Sequence, residues 1–216
     1  MTKLPDLRSD EFRNLKAVLL DLDNTFYAYD PCHEYALGKV YEHFKELSDW
    51  SFETYRGKYK VAQEVIKDQT GTQAASHSRL LYFQVMLEQL FQRSKPSKAL
   101  ALEKIYWDNF LTKMVLRDDI LTFTLSAHTR GLKICIVTDL TTRIQMEKIC
   151  HLGIEDQIDI LVSSEEAGAD KPDSAIFNLA LKKLAIKASE AIMIGDSPAK
   201  DIAGAEAVGI KSFLIE

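Results

Sequence analysis

No stretch of this chain approaches the roughly 18 consecutive apolar residues of a membrane span. Its first residues, MTKLPDLRSDEFRNLK, contain no apolar core long enough for a secretory signal. The two absences predict a cytoplasmic protein with no membrane partner. Cysteine is scarce: Cys32, Cys135 and Cys150 are odd in number and lack metal-ligand spacing, which excludes a disulfide framework and fits a reducing compartment. Basic residues are outnumbered, 27 to 32, and scattered, so the chain has no electrostatic footprint for nucleic acid. Repeats and low-complexity tracts are also missing. What remains is an ordinary balance of 46% hydrophobic and 27% charged residues over 216 positions, enough for one globular domain with a large insert.

Against that plain background, the run Ala17-Val18-Leu19-Leu20 ends in Asp21-Leu22-Asp23-Asn24-Thr25. A short apolar run bounded by turn signals reads as a core strand of a parallel sheet. In open α/β sheets ligands bind just beyond the carboxyl ends of such strands. Two carboxylates and a hydroxyl at that place suit phosphate or metal chemistry, although acidic residues there also close Asx turns or cap helices.

Three more strand-like runs follow. Residues 133–137 end in Thr138-Asp139, residues 158–162 precede a polar loop and Lys171-Pro172, and residues 191–194 end in Gly195-Asp196-Ser197-Pro198-Ala199-Lys200-Asp201. The order Asp-x-Asp, Thr, Lys-Pro, Gly-Asp-x-x-x-x-Asp resembles the haloacid dehalogenase (HAD) superfamily of phosphatases. The likeness runs from about Ala17 to the C-terminus, apart from an insert between the first two motifs.

The resemblance implies an α/β fold, a doubly wound five-stranded parallel sheet, with a helical cap inserted. On that basis the core is expected over residues 1–26 and 115–216, and the cap over 27–114. The closing strand falls at 210–215. The resemblance further implies a magnesium-dependent phosphatase acting on a small phosphomonoester: a sugar phosphate, a nucleoside monophosphate or phosphoglycolate. Asp21 would be the nucleophile, carried through an aspartyl-phosphate, and a metal ligand. Asp23 would be general acid and then base, with its main-chain carbonyl on Mg²⁺. Asp196 would be the third protein ligand to the metal. Thr138 would hydrogen-bond a phosphoryl oxygen, and Lys171 would restrain Asp21 and offset the charge of the transferring group. Asp201 would be an outer carboxylate that orients metal waters or Lys171, unless it only favours a helix N-terminus.

Two positions depart from the family pattern. Asn24 stands where Gly is common, and Asn tolerates left-handed backbone. Asp139 stands where Asn or Gly is common, and main-chain donation would survive. Asn24, Tyr27 and Asp139 are candidates for substrate contact; Tyr29, His33, His77 and Arg79 are weaker ones, which surface exposure or bundle packing explains better. A dehalogenase on the same fold lacks the second Asp, so Asp23 argues against one. A phosphomutase, or a non-catalytic phosphate-binding protein, remains open. Oligomeric state is not legible.

The insert reads as four helices. Asp30-Pro31 forms a good helix start, with Asp as N-cap. Leu37, Val40, Tyr41, Phe44 and Leu47 follow as one apolar stripe. Residues 52–67 form a second helix, Leu80, Phe83, Leu87, Leu90 and Phe91 mark a third, and residues 96–113 a fourth. Later helices are expected over 119–129, 143–150 and 175–184, the last opened by Pro172. A final helix starts at Ser197-Pro198.

Overall fold

The computed structural model describes residues 4–215 of the chain. Five parallel strands form one sheet: β1 (Ala17–Leu20), β2 (Lys133–Thr138), β3 (Ile160–Ser163), β4 (Ala191–Gly195) and β5 (Lys211–Leu214). Their spatial order is β3-β2-β1-β4-β5, so the first strand lies in the middle. Strands covered on both faces are apolar at every position. β1 and β4 are buried throughout, and β2 from Ile134 onward, while the edge strand β5 has an exposed-to-intermediate pattern.

The alternation of side chains then sorts each strand's residues between two faces. Ala17 and Leu19, Cys135 and Val137, and Ala191 and Met193 share one apolar cluster with Phe177. Leu20 is in register with Ile136 on one side and Ile194 on the other. β1 ends at that level, while β2 runs on two residues to Thr138 and β4 one residue to Gly195, so the three carboxyl ends lie at the same edge of the sheet. The chain order reverses across β1, which is the switch point where such sheets leave a crevice.

Chain contacts divide the protein into two compact units. One runs to Ala28 and resumes at Val115; the other is Tyr29–Met114. The first contains the sheet with α5 (Asp118–Thr129), α6 (Thr142–Leu152), α7 (Ser164–Ala167), α8 (Ser174–Leu184) and α9 (Ala203–Ala207). The second contains α1 (Tyr29–Phe44), α2 (Phe52–Thr70), α3 (Arg79–Phe91) and α4 (Pro96–Thr112) around an aromatic core that includes Tyr55, Tyr59, Tyr82, Tyr106 and Phe110. Among the described residues, no helix is long and apolar enough to cross a membrane.

Several boundaries differ from expectation for identifiable reasons. α1 begins at Tyr29, so Asp30 lies within the first turn, where it still favours the dipole. β3 starts at Ile160, not at 158, because the Asp159 carboxylate itself accepts the Ile134 N–H at 2.8 Å. The expected loop after β3 holds the short helix α7, capped by Ser163 and closed by Gly168 at φ 81°. α8 is opened by Asp173, which accepts the Ala175 N–H, and Pro172 lies outside it. In α3, Phe83 and Leu87 of the expected stripe are buried, but so are Arg79, Tyr82 and Met86, while Leu80, Leu90 and Phe91 are intermediate, so the buried face is rotated toward the tyrosine. The polar lead-in is anchored by Leu7, Phe12 and Leu15, all buried; its residues 1–3 lie outside the described ones.

The small residues around Gly204 bring α9 onto α8. A Cβ at Gly204 would lie 2.5 Å from Phe177 Cε2 and 3.0 Å from Pro172 Cα. Phe177 belongs to the core cluster, so neither neighbour yields easily. Gly204→Ala is expected to destabilise the protein by about 1–3 kcal/mol, as overpacking does elsewhere. Urea unfolding of the two proteins checks this, and equal midpoints would refute it.

Candidate active site

Asp21 is the first residue beyond β1, and its N–H still bonds to Ile194 O at 3.0 Å, extending the ladder to β4. Its carboxylate is buried. Oδ1 accepts from Lys171 Nζ at 2.5 Å and Oδ2 from Thr25 Oγ1 at 3.4 Å. The same Lys171 ammonium donates to Asp201 Oδ1 at 2.7 Å and to Val137 O at 3.0 Å. An ammonium has three N–H donors. All three are used, on acceptors that follow or belong to β1, β2 and the segment after β4.

The other oxygen of Asp201 accepts the Ser197 N–H at 3.0 Å. Gly195 makes this approach possible: a Cβ there would stand 2.3 Å from Asp201 Oδ2. Residues 198–202 form a π-helical turn that brings Asp201 inward, where it is buried. It therefore grips Lys171, and a position that merely favours a helix N-terminus does not describe it.

Burial pushes the Asp21 carboxyl up to about 8; Lys171 opposes the rise, while Asp201 and Asp23 add to it. Asp196 is raised by burial and then by Asp201. Burial works against the Lys171 ammonium, but the carboxylates of Asp21, Asp201 and Asp139 more than offset it and hold the group charged. Asp21, Asp196 and Asp201 each offer a carboxylate oxygen within 4.8 Å of the others. An all-oxygen set of this kind suits a hard divalent ion such as Mg²⁺. A cleft of about 520 Å³ opens beside Asp196, with Asn24, Arg117 and Ile215 in its walls.

Asp23 goes elsewhere. Strand geometry would place it on the face of Asp21, but β1 ends at Leu20 and that alternation ends with it. Its carboxylate meets Lys148 Nζ at 2.6 and 2.9 Å and accepts the Tyr27 hydroxyl. Burial alone would raise the Asp23 carboxyl; the Lys148 ammonium, with bonds from Tyr27 and Gln145, brings it below its ordinary value. Lys148 is fully buried on α6.

Thr138 ends β2, and its hydroxyl accepts from Gln145 Nε2 at 2.6 Å. Gln145 also bonds to Asp139 O at 2.7 Å. The Asp139 carboxylate is held by the Lys171 N–H at 2.8 Å and Lys200 Nζ at 2.6 Å, so it fastens the loop that carries Lys171. Asn24 adopts φ 63°, the left-handed geometry expected of it, and Tyr27 is buried against Asp23. Leu140 has φ 92°, a strained value for a residue with a side chain. Ser164 holds it by accepting its N–H at 2.9 Å.

The candidates thus fall into two connected groups. Asp21, Lys171, Asp201 and Asp196 converge, with Asp139 behind Lys171; Asp23 and Tyr27 form a second group with Lys148. Gln145 and Lys148 escaped the sequence reading. The available signal was a Gln and a Lys three residues apart, hence on one helix face, between the apolar Ile144 and Ile149. Arg117 was missed as well. It lines the cleft, pairs with Asp119 at 2.9 Å, and its backbone N–H meets Phe26 O at 2.8 Å.

A ribulose-1,5-bisphosphate 5-phosphatase of Halopiger xanaduensis is 41% identical over 201 residues, which cover 93% of this chain and 84% of that protein. A glyceraldehyde 3-phosphate phosphatase of Methanopyrus kandleri is 29% identical over 201 residues, again 93% and 84% of the two chains. A HAD phosphatase from Thermococcus onnurineus shares the fold, with a TM-score of 0.71 at 22% identity over 93% of this chain and 86% of that one. The family model for haloacid dehalogenase-like hydrolases matches residues 15–209. This chain belongs to that family.

Proposed function

We propose that this protein is a magnesium-dependent phosphatase of a small phosphorylated sugar, with Asp21 as the nucleophile. The observation that carries the proposal is the buried Lys171 ammonium, shared between the Asp21 and Asp201 carboxylates at 2.5 and 2.7 Å. The phosphatase names of the two relatives support the reaction and the sugar-phosphate class.

A carboxylate attacking a phosphate monoester faces charge repulsion. Two unit charges 4 Å apart repel by about 4 kcal/mol at an effective dielectric near 20. Lys171 holds one Asp21 oxygen in a fixed direction and places a positive charge where the transferring group carries negative charge. Mg²⁺, held by Asp21, Asp196 and the main-chain carbonyl of Asp23, would neutralise phosphate charge. Attack by the Asp21 carboxylate on phosphorus forms an aspartyl-phosphate and releases the sugar alcohol; water then cleaves this acyl phosphate, freeing inorganic phosphate and restoring the carboxylate. Thr138, supported by Gln145, offers its hydroxyl beside Val137, the residue whose carbonyl Lys171 also grips.

Asp23 would protonate the leaving oxygen and then take a proton from the attacking water. Lys148 and Tyr27 fix its carboxylate by three contacts. The helical unit Tyr29–Met114 is the region we assign to a cap that selects the substrate. Asp23 also separates this reading from carbon–halogen hydrolysis, in which no alkoxide needs a proton.

Two predictions follow from these roles. Turnover of a chromogenic phosphomonoester should require Mg²⁺, stop with chelator, and fall by about 10⁴-fold or more in Asp21→Asn. Retained activity in that variant would falsify the nucleophile assignment, and release of halide from a 2-haloacid would overturn the reaction class. The second concerns the buried pair. Lys148→Met should destabilise the protein by about 3–5 kcal/mol at neutral pH, because the Asp23 carboxylate loses its buried partner. The folded Asp23 pKa is below the ordinary 3.8, so its ionic contribution is full above that value and is lost as pH falls below it. The deficit of the variant should therefore narrow on acidification. Chemical denaturation at several pH values measures it, and a deficit that does not change with pH would rule the explanation out.

A further inference from the structure

The helical unit contains a buried cation that has no acid. Arg79, the first residue of α3, is only 5% exposed. Its guanidinium lies 5.4–5.6 Å from the ring centroids of Tyr82, Tyr106 and Trp107. One terminal nitrogen donates to His77 O at 2.5 Å and the other to the Tyr29 hydroxyl. The Nε–H is buried with no acceptor. Among the described residues no carboxylate pairs with Arg79. The buried lysines of the sheet unit differ in this respect: Lys148 and Lys171 each hold at least one carboxylate within 2.6 Å.

Among the described residues, the aromatic side chains packed around Arg79 supply no carboxylate. Burial pushes the hydroxyls of Tyr59 and Tyr106 upward, so both stay neutral. His33 is brought down to about 4 by burial, then by Arg79 and Arg56, and so is neutral as well. Its Nδ1 meets Tyr106 OH at 2.7 Å. A second polar atom in the same cluster is also unsatisfied. The Tyr59 hydroxyl is buried without a partner, and its ring packs edge-on to Tyr82, 5.6 Å between centroids. An uncompensated buried charge is strongly unfavourable, and buried polar groups nearly always find partners. A ligand that resolves both problems carries negative charge and presents several acceptor oxygens. Arginine matches phosphate in this way, through its planar fork of donors.

We propose that the helical unit holds a phosphate-binding site centred on Arg79, with Tyr59 and Tyr29 as neighbouring hydroxyl donors. The choice of phosphate over other anions rests on the phosphatase reading; the presence of an anion site does not. The occupant we assign is the phosphate group of a phosphorylated small molecule.

Trp107 provides a direct reporter. The chain has two tryptophans, and the other, Trp50, stacks on Phe44. In the full chain carrying Trp50→Phe, titration with inorganic phosphate at constant ionic strength should change Trp107 emission saturably. The change should vanish in Trp50→Phe/Arg79→Gln and return in part with Arg79→Lys. No saturable change, or the same change without Arg79, would overturn the site. This arm needs no turnover, so it decides the matter even if the chain hydrolyses no phosphomonoester, a result that would defeat the phosphatase reading instead.

Discussion

The Lys171 ammonium is the constraint on which the rest of the site depends. It is buried and spends all three donors on Asp21, Asp201 and Val137 O. Those acceptors come from three different parts of the sheet unit, so the lysine works as a clamp as well as a charge. It does not balance the site. Asp21, Asp23, Asp196 and Asp201 bring four carboxylates, and the ammonium groups that touch them are Lys171 and Lys148. The shortfall is why burial and like charge push Asp21 upward despite a lysine at 2.5 Å. A divalent cation is the size of charge that would close it, and a phosphate arriving without one would enlarge it.

The backbone provides this clamp at little cost because parallel strands end at the same edge of the sheet. With Leu20 in register with Ile136 and Ile194, the residues just past β1, β2 and β4 open into the same crevice. Local exceptions do the fine placement. Gly195 has no side chain, so Asp201 can come within bonding reach of the Ser197 N–H. Leu140 is held in a left-handed conformation by Ser164, and the neighbouring Asp139 ties down the N–H of Lys171. Strain after β2 thus goes together with the positioning of a lysine 32 residues further along the chain.

The sheet was legible because its central strands are apolar on both faces, a pattern that survives without tertiary context. The residues Asp21, Lys171 and Asp201 were legible through their place after such strands. What escaped the sequence were partners supplied across elements. Lys148 on α6 reaches Asp23, 125 residues away, and a lysine in an amphipathic helix is ordinarily a solvated one. The Asp139 carboxylate, a candidate for substrate contact, is occupied by Lys200 and the Lys171 backbone, and no local pattern announces either bond. In the helical unit the apolar stripe of α3 placed Phe83 and Leu87 in the interior correctly, but it left out Tyr82, Met86 and Arg79, which share the buried face. Aromatic rings and a guanidinium can pack face to face in an interior, and hydropathy alone does not register that.

Asp21 and Asp23 show how two like groups, two residues apart, are kept distinct. Had β1 continued, both would lie on one face and repel. It stops at Leu20, and each carboxylate is drawn to its own lysine, Asp21 to Lys171 and Asp23 to Lys148. The surroundings then separate their proton affinities: burial dominates at Asp21 and raises it, while Lys148 and two further hydrogen bonds overcome burial at Asp23 and lower it. Divergent environments for a carboxylate pair are the usual means by which one residue type serves two roles. Here the divergence comes from which helix or loop supplies the cation. α6 therefore supplies the cation that holds Asp23, although no residue on it was a candidate at the outset.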